Sequence, residues 1–169
     1  PYLRSTGIWK CPADSSRLLV KGRHYSRVRS MAMSLWFGGF GGKARGDMRS
    51  GFRIYLHMSD LVEPGPALTW LLLDQREDSI NLGNYHTAMQ GWPDKPEEMR
   101  FSEDYPASYH HGAAGLSFAD GHAEIKKWRD ARTKPRLVRD SNYYAQRGVF
   151  RSAGNLDIGW LQERATRRN

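Results

Sequence analysis

The sequence predicts an α+β fold built on an antiparallel β-sheet with long irregular loops. The most apolar segment, residues 67–73 (ALTWLLL), is short and fits a buried central strand better than a helix. An Asp120-Gly121 pair lies between two alternating segments, which predicts a β-hairpin. The 17 glycines and 8 prolines predict many turns. At 169 residues the chain has the length of one domain, so we predict a single domain over residues 1–169, with two small domains as the alternative.

Two further strands are predicted ahead of this apolar segment. Residues 30–37 (SMAMSLWF) have the composition of a strand and lead into a glycine-rich loop over residues 38–51. Residues 52–56 (FRIYL) alternate apolar and other side chains with a period of two, which suits a half-buried strand. Residues 58–61 are predicted to form a short helical turn before a break that contains two prolines.

The hairpin prediction also assigns a register to its two strands. A two-residue turn of type I′ places Leu116 opposite Ile125 and Phe118 opposite Ala123. These four apolar side chains then share one face of the hairpin, while polar side chains share the other. We therefore expect the face with Leu116, Phe118, Ala123 and Ile125 to be the buried one.

Two regions on either side of the hairpin complete the prediction. Residues 74–109 contain three prolines and many polar groups, so we predict a long irregular excursion over the surface, with one short helix near residues 97–100. A loop of that length in a compact domain is usually functional or mobile. Near the end of the chain, a short helix is predicted over residues 158–166.

The charge balance favours acidic partners but does not define a binding groove. The chain carries 26 Lys and Arg against 18 Asp and Glu, a net charge of +8, which favours polyanions such as nucleic acid or anionic polysaccharide. The basic residues are spread along the sequence, so a solvated surface is the favoured interpretation. The longest apolar run is far shorter than the roughly 20 residues that a membrane helix needs.

No enzymatic motif survives inspection, so no catalytic activity is predicted. Gly42-Lys43 resembles the end of a phosphate-binding loop, but the required flanking glycine and hydroxyl residue are missing. Asp74, Glu77 and Asp78 follow a predicted buried strand, as catalytic carboxylates often do, yet solvated loop acids are the commoner case.

The histidines raise the question of a metal ion. Imidazole and carboxylate groups are ligands for zinc and similar ions. Calcium, held by carboxylates and carbonyls near Asp74, Asp78 or Asp120, is the other metal considered. We favour a structural interpretation, in which one histidine hydrogen-bonds a loop and the others are exposed. The candidate ligands are His110, His111, Asp120, His122 and Asp74.

Cys11 is the single cysteine, so no intrachain disulfide is predicted. It lies in a Cys-Pro-Ala-Asp sequence with no histidine or asparagine partner nearby in the chain. A packed small residue in a turn is therefore favoured over a reactive thiol.

The motifs, taken in order, resemble the C-terminal region of bacterial prepilin-like proteins, the type IV pilins and type II secretion pseudopilins. His110, nine residues and then Asp120-Gly121 match the H-X9-DG signature of this group. The other similar elements are residues 10–14 (KCPAD), 29–33 (RSMAM), 71–74 (LLLD) and 155–164 (NLDIGWLQER).

This resemblance implies a type IV pilin-like head domain whose N-terminal helix lies upstream of residue 1. It implies a structural subunit, a pseudopilin or minor pilin, of a bacterial envelope filament for secretion or adhesion, with other pilin-like subunits as partners in a homo-oligomeric filament. The head would be periplasmic or extracellular and anchored in the inner membrane before assembly. His110, Asp120 and Gly121 would be structural, with His110 fastening the incoming loop to the hairpin turn.

An extracellular carbohydrate- or nucleic-acid-binding module is the alternative function. Exposed aromatic side chains in the long excursion, such as Trp92, Tyr105 and Tyr109, would stack on sugars. For nucleic acid, several phosphate contacts would make the affinity steeply salt-dependent.

Overall fold

A computed structural model describes residues 5–45, 48 and 51–169. Within these residues the chain is an α+β protein with short strands, one α-helix and several single-turn 3-10 helices. The strands are β1 (Arg17–Val20), β2 (Arg23–Ser26), β3 (Met31–Ser34), β4 (Trp70–Asp74), β5 (Asn84–Tyr85), β6 (Arg100–Phe101), β7 (Ala113–Phe118), β8 (Ala123–Lys127) and β9 (Phe150–Arg151), and the helix is α1 (Leu156–Gln162).

A mixed five-stranded sheet forms the centre of the fold. Its strand order is β5-β3-β4-β7-β8. The pairs β3–β4, β4–β7 and β7–β8 are antiparallel, and β3–β5 is parallel. Two separate two-stranded sheets, β1–β2 and β6–β9, lie outside it. The predicted antiparallel sheet is therefore confirmed in outline, with one short parallel strand added at its edge.

One face of the central sheet carries the main hydrophobic core. Ala32, Leu73 and Leu116 point to this face from three neighbouring strands, because they are directly paired across β3–β4 and β4–β7. Trp128 packs in the same core cluster and donates its ring N–H to the carbonyl of Ala107 at 2.7 Å. Leu161 of α1 belongs to the same cluster.

The short helix α1 has a clear start signal in the sequence. Its N-cap, Asn155, accepts hydrogen bonds through its side chain from the backbone N–H groups of Asp157 and Ile158. Ile158 and Leu161 face the interior. The helix predicted over residues 158–166 exists, but it starts and ends earlier.

The predicted strands ahead of β4 are confirmed in part. Residues 30–37 contain β3, and residues 67–73 overlap β4, which begins at Trp70 because the preceding residues form a turn. Residues 52–56 were predicted as a strand, and this is wrong: Phe52 and Tyr55 make only isolated bridges. Both side chains are buried at a spacing of three, which the period-two pattern did not indicate.

The glycine-rich loop predicted at residues 38–51 includes four positions, 46, 47, 49 and 50, that lie outside the described part of the chain. A 3-10 turn at Met58–Asp60 confirms the predicted helical turn at residues 58–61. Another at Pro96–Glu98 overlaps the short helix predicted near residues 97–100, which ends earlier because Arg100 belongs to β6. In the described residues, no helix has the length and apolar character needed to span a bilayer.

The hairpin is confirmed, but its predicted register is wrong by one residue. Phe118 accepts a hydrogen bond from the N–H of Gly121 and donates to the carbonyl of His122. Gly121 has a φ of +95°, whereas Asp120 is not among the residues with positive φ. This is a three-residue loop that ends in a left-handed glycine, not a type I′ turn. Gly115 therefore pairs with Ile125, and Leu116 pairs with Glu124.

The one-residue shift moves two predicted core residues to the other face of the sheet. Ala123 and Ile125 lie opposite Ser117 and Gly115, and both are exposed. Leu116 is buried with Phe118 in the core, as predicted.

Residues 74–109 were predicted as a surface excursion, and the structure shows that much of it is interior. Gln75 donates to the Asp104 carboxylate at 2.7 Å and to the carbonyl of Ser79 at 2.9 Å. The Ser79 hydroxyl bonds to the backbone of Tyr105. These side chains thus hydrogen-bond buried backbone N–H and C=O groups that have no partner in a strand or a helix. Polarity alone does not indicate burial of this kind.

Candidate functional site

Three side chains that are far apart in the sequence meet at one point beside the central sheet. The Sγ atom of Cys11 lies 3.3 Å from Nε2 of His110. The same Nε2 lies 3.4 Å from Oδ2 of Asp74. One potential ligand atom from each residue lies within 4.8 Å of the other two. Among the described residues, this is the one such group of three that histidine, cysteine and acidic side chains form.

The backbone of Cys11 is held by its own turn and by Ser30, which lies just before β3. The N–H of Cys11 donates to the Ser30 hydroxyl at 2.7 Å, and the Cys11 carbonyl accepts from the N–H of Asp14 at 2.9 Å. Burial raises the pKa of the Cys11 thiol, whose side chain is almost inaccessible. The backbone N–H groups of Ala13 and Asp14 oppose that rise, because they stabilise a thiolate.

Asp74 is the last residue of β4 and lies opposite Met31 of β3. Its Oδ2 accepts the N–H of Gly115 at 3.1 Å, and a Cβ atom at position 115 would lie 3.2 Å from that oxygen. Its Oδ1 is buried and has no hydrogen-bond partner. Burial raises the pKa of Asp74, while the Gly115 amide and His110 act in the opposite direction. This carboxyl group therefore has an oxygen available for a further interaction.

His110 lies in the tight turn that leads into β7. Its backbone N–H and carbonyl both pair with Ala113, at 3.2 Å each. The side chain is 32% exposed, whereas the Asp74 side chain is 1% exposed. His110 therefore forms the side of the cluster that faces solvent.

The structure brings together two of the five metal ligands considered from the sequence, Asp74 and His110. Asp120 and His122 pair with each other instead, with 2.6 Å between Oδ1 and Nδ1, at the exposed hairpin turn. His111 is exposed and has a positive φ of 52°. Cys11 was interpreted as a packed turn residue, and its place in the cluster was missed. The sequence signal that pointed to Cys11 was its Cys-Pro-Ala-Asp motif.

The hairpin turn is held by its own residues. Asp120 accepts the N–H of His122 at 3.1 Å through its side chain. The imidazole of His122 stacks on the ring of Phe118, with 4.3 Å between centroids. The predicted role for His110 was to fasten the loop to this turn, but its side chain contacts Cys11 and Asp74.

Asp74, Glu77 and Asp78 were interpreted as solvated loop acids, which is wrong, because all three are buried. Arg76 binds the Asp78 carboxylate through two hydrogen bonds, at 2.6 and 2.8 Å. Asp78 also accepts the N–H of Val138 at 2.8 Å. The Arg76–Asp78 ion pair therefore holds the segment after β4 in place, which is a structural role.

The three aromatic residues proposed as a sugar platform are not displayed as one. Tyr105 is buried and stacks on Phe101, with centroids 4.3 Å apart. The hydroxyl of Tyr109 accepts the N–H of Glu77 at 3.0 Å. Trp92 is partly buried and covered by the guanidinium of Arg167, 5.1 Å from its ring. These contacts remove the observation on which the carbohydrate alternative depended.

In the described part of the chain, the other face of the central sheet is largely apolar and exposed to solvent. We call it the open face; across the strands it presents Met33, Leu72, Ser117, Ala123 and Ile125. The side chain of Ile125 is 67% exposed and that of Met33 is 43% exposed. Two exposed residues from the N-terminal segment, Ile8 and Trp9, line the same shallow groove. Asp74 lies next to this groove, because its partners Met31 and Gly115 also line it.

No family model, curated protein or solved structure matches this chain. The functional account therefore depends on the residues and contacts described above.

Proposed function

We propose that this chain is the head domain of a pilin-like structural subunit of a bacterial envelope filament, and that its open face packs on an apolar helix. The observation that carries the proposal is the open face itself. A sheet that is apolar on both faces needs a covering layer on each. Among the residues that the structure describes, a hydrophobic core covers one face, while Met33 and Ile125 on the other face are exposed.

The resemblance in sequence supports a helix as the covering element. Prepilin-like proteins, which the H-X9-DG, KCPAD and NLDIGWLQER elements resemble, pack a long N-terminal helix against an antiparallel sheet. The open face offers methionine, leucine and isoleucine side chains with small residues between them. Gly115 and Ala123 beside Ile125 leave room for the ridges of side chains on a helix.

Exposure of the open face also supports an assembly role. Contiguous exposed apolar patches on proteins usually mark contact surfaces. Ile8 and Trp9 extend this patch from the N-terminal side. The groove therefore runs from Ile8 and Trp9 across the sheet to β8.

The test is assembly of the full-length gene product in its host. Ile125→Asp places a charge on the open face, and we expect it to remove the protein from the filament fraction sheared from cells. Leu82→Asp is the matched control, because Leu82 is 81% exposed and lines a different groove, beside Leu35 and Phe40. Both isolated chains should keep the parent circular dichroism spectrum, since neither side chain is buried. Absence of the parent protein from any filament, or equal assembly of Ile125→Asp and parent, would overturn the proposal.

A further inference from the structure

We propose that Cys11, Asp74 and His110 bind a zinc ion. The proposal is independent of the filament role, because it depends only on the geometry and chemistry of these three side chains.

The donor set has the chemistry of a zinc site. Zinc is bound in proteins by cysteine sulfur, histidine nitrogen and carboxylate oxygen. Cys11, His110 and Asp74 offer one donor of each kind. Magnesium and calcium prefer sites made of oxygen ligands, so a thiolate and an imidazole select against them.

The distances between the donor atoms also suit a tetrahedral ion. With Zn–S of about 2.3 Å and Zn–N or Zn–O of about 2.0–2.1 Å, tetrahedral ligand atoms lie roughly 3.3–3.6 Å apart. The Sγ–Nε2 distance is 3.3 Å and the Nε2–Oδ2 distance is 3.4 Å. Two of the three edges therefore already lie in this range, and the third, between Sγ and a carboxylate oxygen of Asp74, is at most 4.8 Å.

The surroundings of the cluster favour a bound cation. Oδ1 of Asp74 is buried without a hydrogen-bond partner, although the Asp74 side chain is only 1% exposed. The N–H of Gly115 donates to Oδ2 of Asp74, and the backbone of Cys11 is held by hydrogen bonds with Ser30 and Asp14. Hydrogen bonds from outside the cluster commonly orient metal ligands in this way. Two of the three ligands are thus held in place by the backbone around them.

Binding conserves charge and protons in a simple way. The ion binds one thiolate, one carboxylate and one neutral imidazole, so its two positive charges are balanced by two negative ligands. The proton of the thiol, and that of the carboxyl group where it is protonated, passes to solvent. Three protein ligands leave a fourth position, which water can fill from the exposed side of His110.

A bound ion would fasten the N-terminal segment to the sheet. Cys11 belongs to that segment, whereas Asp74 ends β4 and His110 leads into β7. The residues just before Cys11 are Ile8 and Trp9, which line the open face. Zinc therefore would fix the position of one wall of this groove.

The test uses purified metal-free protein and titration with Zn²⁺ and Co²⁺. We expect one equivalent of Co²⁺ to bind and to produce thiolate-to-metal charge-transfer absorption, and Zn²⁺ to displace it. Cys11→Ser should remove this absorption, and His110→Ala should lower the affinity at least ~100-fold, beyond the 10–100-fold loss typical of an outer-shell residue. His110 is partly exposed, so its replacement keeps the test valid if the Cys11 variant fails to fold.

The matched control is the His122–Asp120 pair at the hairpin turn. His122→Ala removes the exposed imidazole that contacts Asp120 and should leave Co²⁺ affinity and absorption unchanged. Absence of stoichiometric binding by the parent, retention of the absorption by Cys11→Ser, or equal losses in His122→Ala and His110→Ala would each overturn the proposal.

Discussion

Ile125 of β8 pairs with Gly115 of β7, one residue away from the partner that a two-residue turn would give it. This pairing places the Ile125 side chain on the open face, where it is 67% exposed. Its neighbour in the chain, Glu124, pairs with the buried Leu116. The register of one hairpin thus places Ile125 on the exposed open face and not in the core.

Matched alanine substitutions test that register by stability. Leu116→Ala should lower the free energy of unfolding by about 2–5 kcal/mol, because Leu116 is buried in the core. Ile125→Ala should cost less than about 1 kcal/mol in the isolated chain, since its side chain is largely exposed. Urea denaturation measures both. Similar costs for the two variants would mean that both side chains are buried and that the register is different.

The left-handed glycine of the hairpin loop gives a second prediction. Gly121→Ala should lower the free energy of unfolding by about 1–2 kcal/mol, because φ is +95° there and no atom lies close enough to add a clash. Gly159→Ala is the control, since Gly159 is helical with ordinary φ and its added Cβ meets only Met99 at 3.5 Å. That variant should be neutral or gain up to about 1 kcal/mol. If Gly121→Ala is as stable as the parent in a denaturant melt, the left-handed conformation of Gly121 is contradicted.

The buried ion pair between Arg76 and Asp78 should matter far more than a surface pair. Asp78→Asn leaves the buried guanidinium without its charge partner, and we expect a loss of about 3–5 kcal/mol. Glu98→Gln breaks the exposed pair with Lys95 and should cost less than about 1 kcal/mol. Denaturant melts of both variants at one pH give the comparison. Equal losses would show that the Arg76 charge is solvated.

Asp104 should make stability fall as pH rises. Burial raises the pKa of Asp104 to about 8, against the accepted hydrogen bonds from His86 and Gln75. The protonated carboxyl is therefore favoured in the fold, while the unfolded chain ionises near pH 4. The contribution of the protonated Asp104 to the free energy of unfolding is complete below pH 4. It is lost between pH 4 and 8, by up to about 1.4 kcal/mol per pH unit.

Urea midpoints measured across that interval test the assignment. Asp104→Asn should be less stable than the parent at pH 5, because an amide nitrogen replaces one accepting oxygen. Its stability should nevertheless depend less on pH between 4 and 8. Glu98→Gln, which changes an exposed acid, should keep the parent slope. A parent slope retained by Asp104→Asn would place the titration on another group.

Short motifs in the sequence predicted the elements whose structure depends mainly on neighbouring residues in the chain. The Asp120-Gly121 pair marked the hairpin, and the apolar segment before Asp74 marked the central strand. The register was missed because it depends on whether Asp120 adopts a positive φ, and either loop length accommodates the same two residues.

The candidate site was found only in part because its members come together through the sheet. The histidines and Asp120 were grouped because they are neighbours in sequence, yet Cys11 and His110 are 99 positions apart. Their contact requires the path of the N-terminal segment beside β4 and β7. The burial of the residues after β4 was also missed, because their polar side chains predicted a surface segment. The Arg76–Asp78 and Gln75–Asp104 hydrogen bonds offset the cost of burying these polar groups.

Labelling of a cysteine placed at position 125 tests the central claim most directly. Cys11 is only 2% exposed, so the parent chain provides a slow baseline for reaction with a maleimide. Ile125→Cys and the control Leu82→Cys should both label rapidly in the isolated chain. In the full-length protein within its host envelope, position 125 should be protected by a packed helix while position 82 stays reactive. Equally rapid labelling of both positions there would contradict the account.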